Sequence, residues 1–195
     1  MKYALRRLFF KVRNYSHRFG FGVQSPFAYR FVREVVRPSA ALCRLNLPLK
    51  AYPETDAERL SLLSLYARIA CWKGPCAWAV AVYQFDLCRD FILAASPKST
   101  VIDAVYGYEK VPVASADALI MTLESNWQDI YETFAGHAHA ASLLVIEDIH
   151  ATKAALTIWQ SVVADSRVSL TFDLFSCGIV FFDATKSHAN YRIPM

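Results

Sequence analysis

The densest group of side chains that could do chemistry is Glu147, Asp148 and His150, which follows the apolar run LLVI. Carboxylates can hold a divalent cation, and an imidazole can exchange a proton near neutral pH. Three interpretations are open: a metal site, a histidine base, and a structural role in which Asp148 caps the next helix and offsets its dipole. We prefer the structural role and expect no metal. The sequence assigns no catalytic residue.

A second candidate site lies around the first two strands that the apolar runs predict. Asp103 ends the run TVID, where an acid in a wound α/β sheet can bind ribose hydroxyls. The loop after the first strand carries Val82 and Tyr83, and no glycine occurs between Ala77 and Phe91. Nucleotide-binding loops use glycines so that the backbone can approach the ligand. Side chains in this loop should therefore fill space that a cofactor would need.

The elements that position these residues follow from hydrophobic patterning. Short apolar runs alternate with helical patterns, which predicts a mostly parallel sheet covered on both faces, a three-layer α/β/α sandwich. The predicted strands span 77–82, 100–105, 118–123, 143–147, 168–175 and 178–182, and the helices between them span 86–95, 127–135 and 152–163. Only Ser176 and Cys177 separate the last two strands, which predicts a C-terminal antiparallel hairpin.

The first 54 residues are predicted to form a basic helical N-terminal extension and a connecting loop, followed by one domain over 55–195. TDAE at 55–58 predicts a capping box with Thr55 as the N-cap. Near the start, an amphipathic helix places one apolar stripe among five basic residues; the stripe consists of Leu5, Leu8, Phe9 and Val12. We expect this helix to dock onto protein, which can be its own sheet, a second copy in a homodimer or another protein partner. Nucleic acid and an anionic membrane are the alternatives.

Composition sets the broad class. The chain has 195 residues, which suits one domain, and its longest uncharged stretch is too short to cross a bilayer. Because bases interrupt the first apolar residues, no secretory signal is evident, and we expect a cytoplasmic protein. The five cysteines are odd in number and lack metal-ligand spacing, which favours reduced thiols over disulfides or zinc.

Two segments carry a resemblance to a known family. The chain resembles a bacterial family of class I S-adenosylmethionine-dependent methyltransferases in two places. The head of that family is similar to residues 17–36, HRFGFGVQSPFAYRFVREVV. Its tail is similar to residues 143–182, LLVIEDIHATKAALTIWQSVVADSRVSLTFDLFSCGIVFF. The resemblance implies a Rossmann-like fold with S-adenosylmethionine at the carboxyl ends of the strands. It also implies which residues would contact that cofactor: Asp103, Val82, Tyr83, Asp148 and His150.

The middle of the chain departs from the family pattern. The loop after the first strand lacks glycine, only residues 106–117 separate two strands where the family has further elements, and Thr122 stands where the family has an acid. We therefore expect a degenerate, shortened member without bound cofactor that serves as a non-catalytic binding or scaffolding module. The alternative is an active methyltransferase that holds S-adenosylmethionine in an atypical, glycine-free site.

Overall fold

The computed structural model describes residues 2–19, 22–37, 45–104, 113–124 and 126–195. Within these ranges, none of the helices combines the length and the apolar character needed to cross a membrane. The predicted shortening over 106–117 falls mainly on residues outside the described ranges.

Seven strands form one sheet in the order β2-β1-β3-β4-β6-β5-β7. They are β1 (Ala77–Ala81), β2 (Thr100–Asp103), β3 (Ala118–Met121), β4 (Leu143–Glu147), β5 (Leu170–Asp173), β6 (Cys177–Phe181) and β7 (Ala189–Arg192). Strand β6 runs antiparallel to both of its neighbours, β4 and β5, and the other pairs are parallel. The mostly parallel sheet and the antiparallel hairpin are thus confirmed.

The prediction of six strands was wrong by one. Strand β7 pairs in parallel with β5 at the sheet edge, with Leu170 opposite Ala189. Its sequence ANYR alternates between partly buried and exposed positions and contains no apolar run. Hydrophobic patterning detects strands that bury their side chains, so this edge strand gave no signal.

The helices of the described chain agree closely with the predicted positions. They are α1 (Lys2–Arg13), α2 (Pro26–Phe31, continued by a wider turn over Val32–Val36), α3 (Ala57–Lys73), α4 (Phe85–Ala95), α5 (Trp127–His137) and α6 (Lys153–Val163). The predicted cap of α3 was wrong by one residue. Asp56, not Thr55, is the N-cap, and its carboxylate accepts hydrogen bonds from the backbone N–H groups of Glu58 and Arg59 at 2.9 Å. Aspartate carries a charge that also suits the helix dipole.

Helices cover both faces of the sheet because alternate strand residues point to opposite sides. On β1, Val80 joins a core shared with α2, α3 and α4, whereas Ala79 joins a second core shared with α5 and α6. Phe31 and Val35 of α2 are fully buried in the first core. The predicted N-terminal extension therefore contributes side chains to the same core as the sheet.

Helix α6 packs closely on strand β6 at a glycine. Trp159 of α6 is buried and contacts β6 at Gly178, where an added Cβ would come within 2.4 to 2.8 Å of three indole ring atoms. Only glycine leaves room for the ring at this point.

Candidate functional site

Two clefts open at the carboxyl ends of the parallel strands. The larger, of about 510 Å³, lies between the segment before α3 and the start of α4, and Asp103 at the end of β2 lines it. The smaller, of about 270 Å³, lies at the ends of β1 and β3 and is lined by Val82 and Thr122, among others. In open α/β sheets this rim is the usual place for ligands.

Tyr83 stands between the two clefts and lines both. Its side chain is 73% exposed, whereas Val82 beside it is 3% exposed and packs into the first core. Phe85 is partly buried against the same core. The glycine-free loop therefore turns Val82 and Phe85 inward, and it leaves Tyr83 as the side chain that projects between the clefts.

Four of the eleven residues that line the larger cleft are acidic. Glu54, Asp56, Asp86 and Asp103 line it, while Arg59, the one basic side chain among its lining residues, turns toward a buried partner. Asp86 occupies the first turn of α4, where a phosphate would otherwise meet the helix N-terminus. Although Asp86 pairs with Arg89 at 2.6 Å, acids outnumber bases around this cleft, which favours a cationic or hydroxyl-bearing ligand over a phosphate.

Glu147, the first member of the predicted cluster, is engaged in a buried ion pair. Arg59 Nη1 donates to both carboxylate oxygens of Glu147 at 2.8 Å, and the Tyr66 hydroxyl donates to Oε1 at 2.6 Å. Arg59 Nη2 also reaches Cys88 Sγ at 3.4 Å. Burial raises the pKa of Cys88 to about 12, and burial beside Glu147 raises the pKa of Tyr66. This carboxylate therefore links α3 to the end of β4.

Asp148 adopts a left-handed backbone conformation with φ of 57° and is exposed. Partial desolvation and the neighbouring charge of Glu147 raise the pKa of its carboxyl group. The prediction that Asp148 caps α6 was wrong. Thr152 is the N-cap, and its Oγ1 accepts from the Ala155 backbone N–H at 2.9 Å. The chain needs a tight turn after β4 before α6 can begin, which moves the cap four residues downstream.

His150 faces a different partner again. Its Nε2 lies 2.9 and 3.0 Å from the two carboxylate oxygens of Asp173, which is 2% exposed and also accepts from the Phe175 backbone N–H. The imidazole stacks on the Phe175 ring at 4.7 Å, and Phe10 of α1 contacts it edge-on. His150 lines a groove of about 600 Å³ beside α1, apart from the strand-end clefts.

The structure thus brings together some of the predicted residues and separates others. Asp103, Val82 and Tyr83 share the strand-end rim, whereas Asp148 and His150 do not line its two clefts. In the described residues, no three His, Cys, Asp or Glu side chains form a group that could hold a metal ion. The sequence analysis did not identify Arg59 and Tyr66 as partners of Glu147, although their spacing of seven residues places them on one face of α3.

Comparison with known proteins adds no family assignment. No protein-family model matches the chain, and no curated protein and no solved structure matches it.

Proposed function

We propose that the chain is a methyltransferase-like domain that acts as a non-catalytic binding module. The resemblance of residues 17–36 and 143–182 to the methyltransferase family motivates the first part. Helices on both sheet faces and an antiparallel strand between β4 and β5 support a Rossmann-like three-layer arrangement.

The position of Tyr83 is the observation that supports a non-catalytic role. S-adenosylmethionine has an adenosine at one end and an amino acid at the other, so it needs one continuous cleft along the strand ends. Here Tyr83 lines both the 510 Å³ cleft and the 270 Å³ cleft and lies between them. Both carboxylate oxygens of Glu147, at the end of β4, are engaged by Arg59 at 2.8 Å within the chain.

An active methyltransferase is the second candidate, and the acidic lining of the larger cleft favours it. Asp103 and Glu54 line that cleft, where carboxylates suit a sulfonium cation and ribose hydroxyls. Because Tyr83 is 73% exposed, its side chain has room to rotate away from the rim. In this candidate the cofactor binds only after that rotation.

Urea unfolding with and without about 1 mM S-adenosylhomocysteine distinguishes the two candidates. A ligand that binds only the folded state raises the free energy of unfolding by RT ln(1 + [L]/Kd), which is about 1.4 kcal/mol for a Kd of about 100 μM and about 4 kcal/mol for about 1 μM. We expect less than about 1.4 kcal/mol for the wild type. A gain near 4 kcal/mol would support the active enzyme instead.

The variant Tyr83→Ala tests the physical reason. If the side chain keeps the cofactor out, this variant should gain a stabilisation that the wild type lacks, while Gln84→Ala, in the same loop, should not. If the wild type itself binds, Asp103→Ala should weaken binding more than Asp148→Ala does, because Asp103 lines the larger cleft. The reverse order would place the ligand elsewhere.

A further inference from the structure

Helix α1 packs on the body of the protein through one face. Phe10 is 8% exposed, and its ring centroid lies 5.3 Å from that of Phe175. Tyr3 contacts the same ring at 5.2 Å, and Arg7 pairs with Glu58 of α3 at 2.6 Å. These contacts fix which side of the helix faces outward.

The outward side of α1 is the apolar stripe. Its four members are between 59% and 69% exposed: Leu5, Leu8, Phe9 and Val12. At 3.6 residues per turn, these positions cluster about half a turn away from Phe10. The helix thus docks on its own chain through the face opposite to the stripe, and the stripe is left for something outside the chain. An apolar patch of this kind marks an interaction surface.

Basic residues border the stripe on both sides. On a helical projection Arg6 and Arg13 lie along one side and Lys11 along the other, and α1 contains no acidic residue. The groove of about 600 Å³ opens beside the stripe, where Leu5 and Phe9 line it together with Arg6, Arg13 and Arg192. The surface therefore combines apolar side chains at its centre with cationic side chains at its edges.

We propose that this surface of α1 binds an anionic lipid bilayer. The stripe would enter the boundary between headgroups and acyl chains, while Arg6, Lys11 and Arg13 contact lipid phosphates. The helix would lie in the plane of the membrane, with the rest of the domain on its aqueous side. This binding does not depend on what the strand-end clefts hold.

The charges favour a bilayer over the other occupants. A second copy would bring two helices without acidic residues against each other, so that Arg6, Lys11 and Arg13 would face like charges. Nucleic acid would contact the basic side chains of α1. Proteins hold single strands by aromatic stacking and phosphate contacts, however, and Leu5 and Val12 can supply neither. An anionic bilayer uses the aliphatic and the basic side chains together.

Co-sedimentation of the full-length protein with vesicles tests the proposal. We compare phosphatidylcholine vesicles with vesicles containing about 25% phosphatidylglycerol, at about 50 and about 200 mM salt. We expect binding to the anionic vesicles that weakens at the higher salt concentration. The double substitution Leu5→Ser with Phe9→Ser should reduce partitioning at least tenfold, which is about 1.4 kcal/mol. Arg13→Gln should reduce it about fivefold on anionic vesicles only.

Leu49→Ser is the matched control, because Leu49 is 48% exposed and lies outside α1. It should bind vesicles as the wild type does, and the double variant should keep the wild-type melting temperature because both replaced side chains are exposed. Absence of binding to anionic vesicles, or equal binding by the wild type and the double variant, would overturn the proposal. The proposal would also be overturned if the wild type were a dimer in solution and the double substitution made it a monomer without changing vesicle binding.

Discussion

Gly178→Ala is the substitution whose effect the structure defines most sharply. The added methyl group would lie 2.4, 2.5 and 2.8 Å from three atoms of the Trp159 ring, where ordinary contacts begin at about 3.4 Å. The ring would have to move by about 1 Å, yet Trp159 is 2% exposed and held between α6 and the sheet. Its rigid indole cannot bend away from the contact as a flexible side chain could.

We expect Gly178→Ala to lower the free energy of unfolding by about 3 kcal/mol, the upper part of the range for overpacked cores. Urea unfolding followed by far-ultraviolet circular dichroism measures this value. For a chain of this size the melting temperature should fall by roughly 6 to 12 °C.

Two further variants separate the clash from other effects. In a Trp159→Leu background the obstructing ring is absent, so Gly178→Ala should cost less than about 1 kcal/mol there. Gly136→Ala, at a helix position with nothing within 4 Å, should instead stabilise by about 0.5 to 1 kcal/mol. An equal cost of Gly178→Ala with and without the indole would refute the packing explanation.

Three other predictions concern charged groups. Arg59→Met should cost about 3–5 kcal/mol in urea unfolding, because it leaves Glu147 buried without a cation, and adding Glu147→Gln should recover part of the loss. Hydrogen bonds from Arg167 lower the pKa of Asp165 to about 2 from an ordinary 3.8, so its stabilisation is complete above about pH 4 and is lost as the pH falls toward 2. Asp165→Asn should therefore flatten the decline of the unfolding free energy across that interval, and an unchanged slope would contradict the assignment. Asp148→Asn should change the melting temperature little, because asparagine also tolerates the left-handed backbone. Added Mg²⁺ should stabilise neither form, and a metal-dependent rise in the wild type that is lost in the variant would revive the metal interpretation.

The sequence predicts the sheet well because each buried strand is a local run of apolar residues. LLVIE and CGIVF lie inside the sheet, and every residue of both strands is buried. The run ANYR escapes the same reasoning because its pairing with β5 comes from tertiary contacts, with no apolar pattern of its own. Likewise, both Thr55 and Asp56 suit an N-cap, and only the backbone geometry decides between them.

Some residues of the candidate site could likewise be predicted from the sequence, and others could not. Asp103 and Tyr83 lie at the rim as expected, because Asp103 ends β2 and Tyr83 comes two residues after the end of β1, and both strands are defined by their sequence patterns. The partners of Glu147 and His150 were missed because the pairing atoms are far apart in the chain: Arg59 is 88 residues from Glu147, and Asp173 is 23 residues from His150. Such pairs depend on the rotation of α3 and on the turn after β4, which local patterns do not encode.

The most direct test of the proposed non-catalytic function is calorimetric titration of the wild-type protein with S-adenosylmethionine and S-adenosylhomocysteine. Because Tyr83 lies between the two strand-end clefts, we expect no binding of either compound with a Kd below about 100 μM. A Kd near 1 μM corresponds to about −8 kcal/mol, which requires contacts along the whole cofactor. Such an affinity in the wild type would contradict the proposal and support the active methyltransferase instead.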